Sequence, residues 1–171
     1  MLKQLSSLGV LNDTVIMLLS DHGESLFHDD FLGHGHALNE SQTRIPLIIN
    51  QPGIDLQSAI GLIDVAELLV RLATGRYDNS EYHDLKEPQL QFVGSLKTPR
   101  LIGSVSSGEV RTILDLRTRE VFFSDLGIWK GFDEAWEDES LGPRVKELIT
   151  LWEKARWEDR LSSTKDPIHA N

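Results

Sequence analysis

The strongest constraint on this chain's fold is an apolar run that ends abruptly in polar chemistry. Thr14-Val15-Ile16-Met17-Leu18-Leu19 delivers Ser20-Asp21-His22-Gly23-Glu24. An unbroken apolar run is the pattern of a buried parallel strand, and open α/β sheets bind ligands just beyond the carboxyl ends of such strands. Gly33-His34-Gly35-His36 follows, then Arg44-Ile45-Pro46-Leu47-Ile48-Ile49 and Pro52-Gly53. Four of the six histidines lie between positions 22 and 36, beside Asp21, Glu24, Asp29 and Asp30.

Asp21 and His22 offer oxygen and nitrogen donors that suit a divalent cation. Neighbouring side chains can both turn to one site if the backbone bends, and Gly23 is expected to tolerate that bend. Glu24 would orient a ligating imidazole or start the next segment, a supporting or structural role. The blander alternative makes Asp21 a helix cap and His22 a polar surface residue. The clustered histidines and the strand-end position favour a site.

Three blocks resemble sulfatases, of the alkaline-phosphatase-like superfamily of metal-dependent sulfate and phosphate ester hydrolases. Asn12-Asp13-Thr14-Val15-Ile16 through Ser20-Asp21-His22-Gly23-Glu24 is similar to that family's D-T-x-V-I-x-x-x-S-D-H-G-E. Gly33-His34-Gly35-His36-Ala37-Leu38-Asn39-Glu40 resembles G-H-G-x-x-L-Y-E, and Arg44 to Gly53 resembles R-V-P-L-I-I-x-x-P-G. Ile60 to Gly75 keeps the outline of the next block through Asp64, Leu68, Leu69 and Gly75. It departs where Ala66 and Glu67 replace Pro-Thr.

The resemblance implies that Asp21 and His22 ligate an active-site cation (calcium, zinc, manganese or magnesium). It also implies that His34 is catalytic, reaching the transferred sulfuryl or phosphoryl group or the metal. The residues agree, since flanking glycines let the backbone approach closely and an imidazole can donate to an anionic oxygen. His36 and Arg44 are further substrate-side candidates. The alternative for both His34 and His36 is a mobile, solvated, glycine-rich loop, and for Arg44 an ion pair with a carboxylate such as Glu40.

In the family, the nucleophile sits in a C/S-x-P-x-R signature within the amino-terminal half. This chain has no cysteine and no Ser-x-Pro-x-Arg; Ser95-Leu-Lys-Thr-Pro-Arg100 has the wrong spacing. The expectation is therefore the carboxyl-terminal portion of such an enzyme, with no nucleophile of its own. Covalent catalysis needs an activated nucleophile, so the isolated chain is expected to be inactive without the amino-terminal half.

At 171 residues the chain can bury a core as one domain or one plus an appendage. A net charge of −10 without a basic run argues against nucleic acid and acidic membrane surfaces. No long apolar segment predicts a membrane span.

Leu2, Leu5 and Leu8 predict a helical face that Gly9 stops. Ile45–Ile49 predicts a second buried strand. Asp64-Val-Ala-Glu67 has capping-box spacing and predicts a helix ended by Gly75. Tyr77–Pro88 reads as a linker or substrate-side loop. Leu90–Val93, Arg100–Val105, Glu109–Leu114 and Glu120–Ser124 predict short strands, the last two a hairpin turning at Arg117-Thr118. Gly131–Glu139 reads as an acidic loop with Phe132 and Trp136 as anchors, in preference to a metal loop. Gly142-Pro143 opens a helix whose Val145, Leu148, Trp152 and Ala155 share a face. Trp129, Trp136, Trp152 and Trp157 fit packing better than a sugar-stacking surface. Residues after Ser162 read as a frayed tail.

The fold expected is α/β. A partial alkaline-phosphatase-like sheet with helices (residues 1–76, the carboxyl-terminal part of a catalytic domain) precedes a small antiparallel sheet with a terminal helix (77–171, a carboxyl-terminal subdomain). The function implied is a metal-dependent sulfuric ester hydrolase acting on a small anionic ester. The alternatives are a phosphodiesterase, phosphonate hydrolase or phosphoethanolamine-type transferase of the same superfamily, or a non-catalytic metal-binding fragment.

Overall fold

A computed structural model describes residues 1–28, 31–51, 54, 60–78, 88–106 and 110–165. Asp29, Asp30, Pro52, Gly53, Glu109, most of the Tyr77–Pro88 segment and the tail beyond Lys165 lie outside the described residues. The fold is mixed α/β, and the chain divides into two compact units. One comprises residues 1–32 with 40–85, the other 33–39 with 86–171.

The first unit opens with α1 (Leu2–Ser7), which stops where Gly9 adopts φ 72°, a conformation that glycine reaches without penalty. Strand β1 (Met17–Leu19) leads to the acid–imidazole turn, then to a hairpin of β2 (Ser25–His28) and β3 (Phe31–Gly33). Helix α2 (Glu40–Thr43) and β4 (Leu47–Ile49) follow, then α3 (Leu62–Ala73).

The buried parallel strands expected from the two apolar runs are not what forms. β1 pairs antiparallel with β4, Met17 opposite Ile49 and Leu18 opposite Ile48, in a two-stranded ladder. Side chains alternate across a strand, so one face is sheltered and the other meets solvent. Leu18 and Ile48 accordingly lie 60% and 58% exposed. Asn50 extends the ladder with its side chain: its Oδ1 accepts from the Ile16 amide, and its Nδ2 donates to the Thr14 carbonyl.

Asp64 also differs from expectation. α3 begins at Leu62 behind Gly61, and Asp64 is the third helical residue, its Oδ2 accepting the Gly61 amide at 3.0 Å. It supplies the returning arm of the capping box rather than its first residue. Gly75 closes the helix at φ 65°.

The second unit is a five-stranded antiparallel meander: β5 (Gln89–Gly94), β6 (Pro99–Val105), β7 (Arg111–Asp115), β8 (Glu120–Phe123) and β9 (Ile128–Gly131). The β7–β8 hairpin forms as the sequence predicts. Asp115 fixes its turn by accepting the Arg117 and Thr118 amides on Oδ1. One face presents Ile102, Leu114 and Val121 in register, with Phe123, to Ala135, Leu141, Val145 and Leu148; all are buried. Val145 and Leu148 lie on α5 (Gly142–Lys165), so its expected apolar face is the one that packs. Trp136 and Trp152 join this core, whereas Trp129 and Trp157 are 53% and 61% exposed. The opposite sheet face seats Leu38 on Leu101 and Ile113.

The acidic stretch expected as a loop is instead β9 followed by α4 (Phe132–Glu137). Acidic residues are favoured at the positive end of a helix, and Asp133 and Glu134 occupy the first turn of α4. Phe132 and Trp136 fall four apart, stacking with ring centroids 5.6 Å apart. Asp138 then ties the α4–α5 junction. Its Oδ1 accepts the Ser140 and Leu141 amides and the Ser140 hydroxyl, while Oδ2 accepts from Lys130 Nζ at 2.9 Å.

The Lys130 hydrogen bond, reinforced by these donors, holds the Asp138 carboxyl far below the ordinary carboxylate range. A depressed folded-state pKa contributes stability above the unfolded value and loses it as pH falls. Asp138→Asn keeps an acceptor for the amides but removes the charge. The variant should therefore unfold at lower urea than wild type at pH 7, and the gap should narrow below about pH 4. Urea midpoints at pH 7 and pH 3 check this. Among the described residues, no helix is long and apolar enough to cross a membrane.

Candidate metal centre

The site is built where β1 runs out. Ser20 Oγ donates to the His22 carbonyl at 2.7 Å, folding the chain into a tight turn. Asp21 Oδ1 accepts the His22 amide at 3.0 Å and lies 3.4 Å from Ser20 Oγ. A hydrogen bond from its own amide, then the His22 charge, pull the Asp21 carboxyl below its ordinary value. It is therefore an anion at neutral pH.

The imidazole of His22 is oriented by its neighbour. Nδ1 lies 2.8 Å from the Gly23 carbonyl oxygen, which can only accept, so Nδ1 carries the proton. The other ring nitrogen, Nε2, lies 3.7 Å from Asp21 Oδ2. A carboxylate oxygen and an imidazole nitrogen are donor types that suit a divalent cation.

Gly23 serves a different purpose from the bend expected of it. Its φ is not positive; it is needed for close approach. Its amide donates to the Gln42 carbonyl at 2.9 Å, and any Cβ would collide with the Ser41 carbonyl oxygen. Behind it, buried Gln42 donates from Nε2 to buried Ser25 Oγ at 2.9 Å, fastening α2 to β2. The turn is thus braced by backbone contacts.

In the first unit, His22 and Glu24 stand on the turn that follows β1, while His34 belongs to the 33–39 segment of the second. All three side chains are exposed. His34 stands between Gly33 at φ 126° and Gly35 at φ 75°, both conformations that other residues rarely adopt. Glu24, expected only to support the site, offers a donor of its own. His36 is half-buried, whereas Asp21 is exposed. Arg44 lies beside Glu40, Nη1 to Oε2 3.9 Å, in an exposed i,i+4 pair.

Asp21, His22 and Glu24 put two carboxylates and an imidazole at one strand end, donor types that suit divalent cations. Residues 1–74 match the model of the Sulfatase family, whose members act on sulfate esters and are generally metal-dependent. The match covers the whole acid–imidazole turn, the Gly-His-Gly turn and α3. A comparison with curated proteins finds no match to the chain.

Proposed function

We propose that residues 1–76 are the carboxyl-terminal part of a sulfatase-like catalytic domain, and residues 77–171 its small carboxyl-terminal subdomain. The function is metal-dependent hydrolysis of small anionic sulfate esters. The observation that carries this reading is the approach of Asp21 Oδ2 to His22 Nε2, 3.7 Å apart where β1 ends, within a segment matched to the Sulfatase family.

Asp21 and His22 would hold the cation, with Glu24 as a further donor. When bound, a divalent cation supplies positive charge that stabilises the oxygens of the transferred group. His34, exposed on its turn, would donate an N–H to an anionic ester oxygen, with His36 and Arg44 further out on the substrate side. The nucleophile would come from outside these residues, because the chain contains neither cysteine nor a Ser-x-Pro-x-Arg pattern. That same lack favours a second reading, a metal-binding segment without catalysis of its own.

Calorimetric titration of the chain with zinc, manganese, calcium and magnesium tests the site. Asp21→Ala, His22→Ala and His34→Ala should each weaken binding by at least about tenfold. Unchanged affinity in all three sinks the metal centre. Turnover of paired aryl sulfate and aryl phosphate esters by the chain combined with a candidate amino-terminal half then separates the readings. Faster sulfate hydrolysis supports the sulfatase, faster phosphate hydrolysis a phosphoesterase, and binding without turnover the segment that only holds metal.

A further inference from the structure

The Gly-His-Gly turn has an anchor in the second unit that the metal-site reading does not use. Within Gly33–Asn39, His34 and Gly35 are exposed, and Leu38 is the one buried residue, at 5%. It sits on Leu101 and Ile113, with Val93 and Phe122 around them. On β6, directly between those contacts, stands Gly103, paired across the ladder with Ile113 on one side and Gln91 on the other. A Cβ on Gly103 would lie 2.9 Å from Leu38 Cδ1, 3.4 Å from Ile113 Cγ1 and 3.5 Å from the Thr112 carbonyl oxygen.

Glycine inside a strand weakens it and commonly marks the close approach of another group. In a central strand of a five-stranded sheet, that cost has a counterpart only in what the bare α-carbon admits. Here it admits the tip of Leu38. Leu38 is four residues from His34, with Gly35 in between at φ 75° and free of neighbours within 4 Å of its would-be Cβ. A seated Leu38 therefore limits how far the turn can swing.

We propose that Gly103 is a positioning residue: its missing side chain forms the socket for Leu38, and the seated Leu38 holds the turn that presents His34. The consequence for cation binding rests on the metal-centre reading above; the socket itself does not.

The test uses the full chain and a size swap. Gly103→Val should displace Leu38, raise amide hydrogen exchange over residues 36–39, move the His34 imidazole signals in long-range proton–nitrogen spectra, and weaken zinc binding by about tenfold. Gly103→Ala should do the same to a smaller degree, and serves if the valine variant fails to fold. Leu38→Val removes the Cδ1 atom that the new methyl would strike. The pair Gly103→Ala/Leu38→Val should therefore restore both the His34 signals and the exchange pattern. Unchanged imidazole signals and exchange in the glycine variants overturn the proposal, as does a double variant worse than either single one. If the wild-type chain binds no zinc, the metal centre falls, and the exchange and imidazole readings still decide the socket.

Discussion

Gly23→Ala should destabilise the first unit by about 3 kcal/mol, the upper part of the range for overpacking, because the atoms it meets are backbone and cannot rotate away. Its Cβ would strike the Ser41 carbonyl oxygen and lie 3.0 Å from the Ser41 carbonyl carbon and 3.2 Å from that of Gln42. Relief requires lifting the turn off α2, which breaks the Gly23–Gln42 hydrogen bond and strains the buried Gln42–Ser25 pair. His22 and Glu24 flank the residue, so cation affinity should fall with stability. Gly35→Ala is the contrasting variant. Nothing crowds its Cβ, and its cost is that of a left-handed residue, roughly 1–2 kcal/mol. Urea denaturation of both variants checks the ordering, and equal losses would contradict the close approach at Gly23.

Phe123→Ala should cost the second unit about 3–5 kcal/mol, a large fraction of the 5–15 kcal/mol that typically separates folded from unfolded domains. The ring is fully buried, surrounded by Val121, Leu114, Val145 and Leu148 in one cluster. It also carries the Arg144 guanidinium 4.9 Å from its centroid. Arg144 is held by Asp125 through two hydrogen bonds, 3.2 Å and 2.9 Å, and by Thr112 Oγ1 at 3.2 Å. Truncation therefore opens a cavity and removes the surface under a cation that is otherwise fixed. Phe123→Leu refills most of the volume and should cost less than half as much. The measurement is again the urea midpoint, read by Trp152 or Trp136 fluorescence beside the core.

Elements whose signal is local were legible in the sequence. α1 follows from Leu2, Leu5 and Leu8, the β7–β8 hairpin from its flanking runs, and the packed face of α5 from Val145 and Leu148. What depends on partners was not. Thr14–Leu19 has the composition of a strand buried on both faces, but burial is decided by what covers the strand, and β4 covers one edge in an antiparallel sense. β9 is short, with Lys130 inside it, and α4 is masked by the acids that its first turn favours. The candidate centre divides in the same way. Asp21 and His22 stand out because a strand delivers them. Gly23 matters for a collision that no local pattern encodes.

The outward face of the β1–β4 ladder has a colloidal consequence. Leu18 and Ile48 are wet neighbours, and on α3 Ile63 and Val70 are 83% and 62% exposed. Copies of the chain that meet through such greasy ground gain by drying it, while a net charge of −10 keeps them apart. The repulsion reaches about 10 Å in 0.1 M salt and about 3 Å in 1 M. Dilute buffer therefore protects this molecule from its own kind, and brine removes the protection.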